Sequence, residues 1–143
     1  VLVVAGGVLM RRHVRHLLAA DTPNSEDGGP VDFGEALAAS AAAVATLKDK
    51  LEHAPSPDAT EARGELGEII AERIAALVAA GPKLQARHGL AGFAAVFDPL
   101  SAAERKLNRA WSALADHHLP EAQASLAAAH ERLDAAHDAL VSL

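Results

Sequence analysis

The chain has 143 residues and a net charge of −6; 50% of its residues are apolar, much of that alanine, and only 3% are aromatic. This length suits one domain, and the alanine-rich composition predicts a thin, helical core. The absence of cysteine excludes disulfides, thiolate zinc sites, iron–sulfur clusters and cysteine nucleophiles.

Charge is distributed unevenly along the chain. Residues 1–20 contain three arginines and no acidic residue, whereas the remainder contains 10 basic and 19 acidic residues. Nucleic-acid binding depends on neutralising phosphates with basic side chains. The acidic body therefore argues against a nucleic-acid partner.

The first twenty residues, VLVVAGGVLMRRHVRHLLAA, begin apolar and then turn basic. Ten helical residues cover ~15 Å, about half of a ~30 Å hydrocarbon core. Because the basic residues follow the apolar run, the order is typical of the exit end of a transmembrane helix and not of a secretory signal. A buried core helix, or a short strand leading into a helix, is the alternative. The expected membrane anchor and basic flank comprise Val3, Val4, Val8, Leu9, Arg11, Arg12 and Arg15.

Residues 21–32, DTPNSEDGGPVD, combine turn formers with acids and predict a flexible, solvated linker. A linker of this kind fits a membrane-attached module whose folded domain, residues 33–143, lies on the cytoplasmic side of the membrane. It equally fits an arm on a soluble cytoplasmic protein, so both localisations stay open.

Helix start signals recur in residues 33–143. Asp32, Asp58 and Ser101 each precede a glutamate by three residues, which is the spacing of a capping box. Pro82 and Pro120 suit the first turns of two further helices. With breaks at the Pro-Ser-Pro segment 55–57, at Gly89 and at Asp98–Pro99, the predicted fold is all-α. It is an antiparallel bundle of four to five helices over residues 33–53, 58–80, 82–97 (short and broken), 100–118 and 120–141.

Apolar residues recur at helical spacing in each long helix and predict the core. The first three stripes are Leu37, Val44, Leu47 and Leu51; Leu66, Ile69, Ile70, Ile74, Leu77 and Val78; and Leu100, Leu107, Trp111 and Leu114. In the last helix, the inward residues are predicted to be Leu119, Leu126, Leu133 and Leu140 with Ala122, Ala129 and Ala136.

Residues 103–135 resemble one helical hairpin of the tetratricopeptide family. Trp111 and Leu114 match the start of the family's first helix, and the Pro-Glu-Ala segment 120–122 followed by Ala129 matches its second helix. The sequence departs from the family at Ala115, where glycine is usual, and at His118, where tyrosine is expected. A second copy is absent from the sequence, although such hairpins normally stack in arrays. The resemblance implies a hairpin that binds a protein partner.

Contact with that partner is expected on the outer face of the last two helices, at Trp111, His118, Gln123, His130 and His137. For Trp111, the alternative is a buried anchor of the core. The histidines are more simply interpreted as flanking the leucine seam at the border between core and water.

His130, Asp134 and His137 fall within ~60° on one helical face and are a candidate metal-binding set. The two histidines lie ~10.5 Å apart along the axis, so one ion would need a half-site completed by another helix. The alternative is an ion pair between Asp134 and a histidine one turn away.

No pattern for a phosphate loop, a nucleophile elbow or a metalloprotease helix occurs, and no cofactor is indicated. The sequence therefore predicts a non-catalytic, membrane-tethered or membrane-proximal module for protein interaction or assembly, with no evident small-molecule substrate. A small metal- or ligand-binding sensor and a soluble structural bundle are the alternatives.

Overall fold

The computed structural model describes residues 32–143, and the secondary structure of these residues is helical, without strands. The all-α class is therefore confirmed. The helices are α1 (Phe33–His53), α2 (Ala59–Glu68), α3 (Ala75–Ala79), α4 (Gly81–Ala115) and α5 (Leu119–Val141), and a π-helical segment, Ile69–Ile74, joins α2 to α3.

The predicted membrane anchor at residues 1–20 and most of the predicted linker lie outside the described residues. Within the described part of the chain, no helix is both long and apolar enough to cross a membrane.

The first helix, α1, has the predicted bounds, and its predicted stripe is buried. Leu37, Val44, Leu47 and Leu51 are at most 3% exposed. Ser40 shares this face, and its Oγ donates a hydrogen bond to the Ala36 carbonyl at 2.8 Å. The hydroxyl group is thus satisfied locally, as burial requires.

The start of α2 is fixed by the side chain of Asp58, which confirms this capping box on its acceptor side. Asp58 Oδ1 accepts from the backbone N–H groups of Thr60 at 2.9 Å and Glu61 at 3.1 Å. The Glu61 carboxylate accepts a hydrogen bond from Lys50 Nζ at 3.0 Å and so ties α2 to the end of α1.

The π-helical segment solves a problem of register. Leu66 and Ile74 are both buried although they lie eight positions apart. Two α-helical turns take about 7.2 residues, and one extra residue in a π turn brings this to about 8.2. The wide turn therefore keeps both side chains, and Leu77 after them, on the core face. The prediction is wrong for Val78, which is 44% exposed.

α4 consists of two helical parts that meet at a kink. The break that the sequence predicts at Gly89 is confirmed, because this residue has the non-helical angles φ 74° and ψ 178°. The break expected at Pro99 is wrong: the helix continues through it, and Ser101 therefore lies inside α4 and not at a capping box. Proline inside a helix removes one hydrogen bond. Burial of Val96 and Leu100 on either side offsets that loss.

The helices α4 and α5 pack against each other along most of their lengths, and α1 packs on α5. The turn between α4 and α5 places His117 at a φ of 56°, and the His118 N–H group bonds to the Ala113 carbonyl at 2.8 Å, as in a Schellman-type ending. The seam of α5 is buried as predicted, although Leu119 and Leu140 at its ends are half-buried. Its centre consists of Ala122, Leu126, Ala129, Leu133 and Ala136 at 0% exposure.

An aromatic cluster links the beginning of α1 to α4. The ring centroids of Phe93 and Phe97 lie 4.2 Å apart, and those of Phe33 and Phe97 lie 6.2 Å apart. Gly81 leaves room for this stack, because a Cβ there would lie 2.9 Å from Phe97 Cζ.

Candidate functional site

The residues predicted to contact a partner are distributed over the α4–α5 hairpin, and two of them are engaged inside the chain. Trp111 is half-buried beside α2. The guanidinium carbon of Arg63 lies 4.0 Å from the Trp111 ring centroid. A Cβ on Gly67 would lie 3.4 Å from Trp111 Nε1. Trp111 thus joins α4 to α2 through a cation–π stack, a type of contact worth ~0.5–2 kcal/mol.

Gln123 is the second residue engaged internally. Its Nε2 donates to the Leu51 carbonyl at 3.0 Å, across 72 positions of sequence. Leu51 lies in the last turn of α1, where carbonyls lack partners within the helix. The amide group therefore fastens the end of α1 to the beginning of α5.

His118 is exposed at the turn between α4 and α5. Its Nδ1 lies 3.8 Å from Glu121 Oε2, and Arg109 Nη2 lies 2.5 Å from Glu121 Oε1. Glu121 thus connects the two helices through a surface ion pair, and the His118 side chain is 71% exposed.

His130 and Asp134 approach each other across one turn of α5, with Nδ1 and Oδ2 3.4 Å apart. His137 lies two turns beyond His130 and is half-buried. This arrangement is the expected geometry of an ion pair at (i, i+4). A metal half-site at the same residues stays a prediction.

Another group of potential metal ligands lies at the end of α1 and was not predicted. Ligand atoms of Asp49, Glu52 and His53 lie within 4.8 Å of one another, and all three residues are exposed. His53 Nδ1 also lies 3.0 Å from the Asp49 carbonyl oxygen. The spacing i, i+3 and i+4 on a predicted helix is the signal that would have identified the group.

A groove of about 340 Å³ lies between α1 and the chain from the end of α2 into the π-helical segment. Sequence reasoning missed it, because the glutamates in this stretch have the spacing of a solvated face. The residues lining this groove are Ala43, Thr46, Leu47, Glu65, Glu68, Ile69, Glu72 and Arg73.

Lys50 lies close to one end of the groove. Its Nζ is 2.6 Å from Glu65 Oε1 and 3.0 Å from Glu61 Oε1. The hydrogen bond to Glu65, followed by the one to Glu61, raises the pKa of Lys50 above its usual 10.5. This exposed triad connects α1 and α2 at the surface.

No model of a protein family matches this chain, and neither a curated protein nor a solved structure is significantly similar to it.

Proposed function

We propose that this protein is a non-catalytic helical module, tethered to a membrane through residues 1–20, that binds another protein. In this proposal, residues 33–143 form an antiparallel bundle on the cytoplasmic side of the membrane. The tether rests on the order of apolar and basic residues in the first twenty positions.

The distribution of polar groups in the helical part supports binding in preference to catalysis. Among the described residues, the buried polar side chains are Ser40 and Ser125. Charged side chains form ion pairs at the surface instead, such as Arg109 with Glu121 and Lys50 with Glu65. Catalytic acids and bases usually lie in clefts that perturb them, whereas charges on helix surfaces are available to a partner.

The α4–α5 hairpin is the proposed binding element, in keeping with its resemblance to a tetratricopeptide hairpin. One face of α5 is completely buried, and the opposite face exposes Glu131, Asp134, Ala135 and Asp138. A rigid helix held on one side by a packed seam presents its other side in a fixed geometry, which reduces the entropic cost of binding.

Membrane fractionation of the full chain in its native cell tests the tether. We expect the protein in the membrane pellet, retained at high salt and released by detergent. In a variant with Arg11, Arg12 and Arg15 replaced by glutamate, the topology signal is reversed, so protease accessibility of the helical domain should change. Release of the unaltered protein by salt alone would contradict the tether.

Photo-crosslinking in the same cells tests the binding element. A photoreactive residue at Ala135, on the exposed face of α5, should give a discrete crosslinked species that Glu131→Arg abolishes. The same probe at Ala86, exposed on α4 before the kink at Gly89, is the control and should not give this species. Identical products from both positions, or none from Ala135, would argue against the α5 face.

A further inference from the structure

We propose that the groove between α1 and the π-helical segment binds a basic, amphipathic helix of a partner protein. This inference rests on the proposed function, because it names a binding surface and the chemistry of the partner. The surface is distinct from the outer face of α5.

The shape of the groove follows from the small side chains on α1. Ala43 and Thr46 are short, so α1 and the π-helical segment leave a space of about 340 Å³ between them. Ala43 and Ile69, both half-buried, expose the apolar surface at the floor of the groove, and Leu47 beneath them is buried. A groove of this size accommodates apolar side chains from one face of a docked helix, in the helix-in-groove mode of recognition.

The rim of the groove carries more acidic than basic side chains. Glu61, Glu65, Glu68 and Glu72 follow one another at helical spacing along α2 and the π-helical segment. Lys50 is shared between the first two, and Arg73 also lines the groove, so these four carboxylates are accompanied by two cations. Among the described residues, neither Glu68 nor Glu72 has an ion-pair partner, and both are exposed. A cationic partner would supply the missing counter-charges.

The π-helical segment determines the position of the groove. Wide π turns are rare and occur frequently at functional sites. Here the wide turn spans Ile69–Ile74 and therefore contains three of the residues that line the groove, Ile69, Glu72 and Arg73. The turn thus sets where the apolar floor and the acidic rim meet.

The chemistry of the rim selects among classes of partner. Carboxylates repel the phosphates of nucleic acids and of anionic lipid headgroups. The successive glutamates on one face match lysine or arginine at i, i+4 and i+7 of a helix lying alongside. A basic helix with one aliphatic face therefore fits both the floor and the rim.

Fluorescence anisotropy with the full chain tests this assignment. The probe is a labelled 18-residue peptide of leucine, lysine and alanine, with leucine on one helical face and lysine beside it. We expect saturable binding that weakens by about 10-fold in the double variant Glu68→Gln/Glu72→Gln and by a similar factor in Ala43→Leu, which fills the floor. A peptide with glutamate in place of lysine should not bind.

The double variant Asp98→Asn/Asp116→Asn is the matched control, because it removes the same charge from exposed side chains of α4 and its C-cap. It should bind the probe as the unaltered chain does, and circular dichroism establishes that every variant is folded. Equal weakening by both double variants, or no saturable binding by the folded chain, would overturn the groove assignment. Fractionation and crosslinking from Ala135 do not depend on the groove, so they report separately on the proposed function.

Discussion

The described part of the chain contains two long helical stretches that bury their side chains in different ways. α5 is a regular helix of 23 residues whose buried residues recur at intervals of three and four. From α2 to α3, the buried residues Leu66 and Ile74 are separated by eight positions, and the backbone widens into a π-helical segment between them.

This difference shows how core burial can determine backbone geometry. Where apolar spacing matches about 3.6 residues per turn, the backbone stays α-helical. Between Leu66 and Ile74, which are both at most 1% exposed, the helix contains a wide turn, and burying a leucine or isoleucine is worth about 1.5–3 kcal/mol. The irregular turn then shapes the groove beside α1.

Deleting one alanine from each stretch should give the largest difference in stability between them. Deleting Ala128 from α5 rotates every following residue by ~100° and removes Leu133 and Ala136 from the core. We expect this variant to lose cooperative unfolding. Deleting Ala71 from the π-helical segment leaves Leu66 and Ile74 seven positions apart, which suits regular α-helix. We expect its free energy of unfolding to stay within about 1 kcal/mol of the unaltered chain.

Urea unfolding followed by circular dichroism measures both deletions. The interpretation of the π-helical segment as a register correction fails if deletion of Ala71 destabilises the chain as severely as deletion of Ala128. The same deletion should also weaken binding of the basic probe peptide, because the wide turn is lost.

Truncation of single side chains gives the next largest effect. Leu133 is 0% exposed in the regular seam, so Leu133→Ala should lower the free energy of unfolding by about 2–5 kcal/mol. Ile69 is half-buried at the groove. Ile69→Ala should lower the free energy of unfolding by about 1 kcal/mol, because the truncation removes less buried surface. Leu90 is 69% exposed, and Leu90→Ala is a control that should change the free energy of unfolding by less than about 0.5 kcal/mol. Equal costs at Leu133 and Ile69 would show that the two stretches are packed alike.

Replacing each of two glycines by alanine should change the free energy of unfolding in opposite directions. A Cβ on Gly81 would lie 2.9 Å from Phe97 Cζ and 3.2 Å from Phe93 Cε2, so Gly81→Ala should cost about 1–3 kcal/mol by displacing stacked rings. A Cβ on Gly64, inside α2, meets nothing within 4 Å. Gly64→Ala should therefore raise the free energy of unfolding by about 0.5–1 kcal/mol. Shifts of the same sign in thermal unfolding would contradict this assignment.

The sequence predicted regular features well because each depends on local chemistry. The bounds of α1, the cap at Asp58 and the inward face of α5 follow from spacing and from hydrogen bonds within a few residues. Continuation of α4 through Pro99 was not predictable from local signals, because burial of Val96 and Leu100 against other helices outweighs the helix-breaking tendency of proline.

The candidate sites also depend on contacts between distant residues, which local sequence does not predict. Gln123 is predicted at a partner interface, and Trp111 either there or as a buried anchor. Their contacts with Leu51 and Arg63 join residues distant in sequence. The groove is likewise invisible in the sequence, since it arises from two elements that meet in space. Acidic spacing alone identified only a solvated face, because the groove also depends on the side chains that α1 contributes.

The smallest expected effect is on the pH dependence of stability and concerns Lys50, which connects α1 to α2. Hydrogen bonds to Glu65 and Glu61 raise the pKa of Lys50 above 10.5, so its contribution to stability is fully present below that pH. As the pH rises through the elevated pKa of the folded state, the ammonium group loses its proton and the contribution disappears. In urea unfolding from about pH 9 to about pH 11.5, the unaltered chain should therefore lose its small advantage over Lys50→Met. The control is Lys50→Met in a chain that also carries Glu61→Gln and Glu65→Gln, because the two carboxylates that raise the pKa of Lys50 are then absent and the difference should no longer depend on pH. A Lys50→Met difference that stays constant with pH would show that the triad contributes nothing to holding α1 against α2, and the groove would then depend on packing alone.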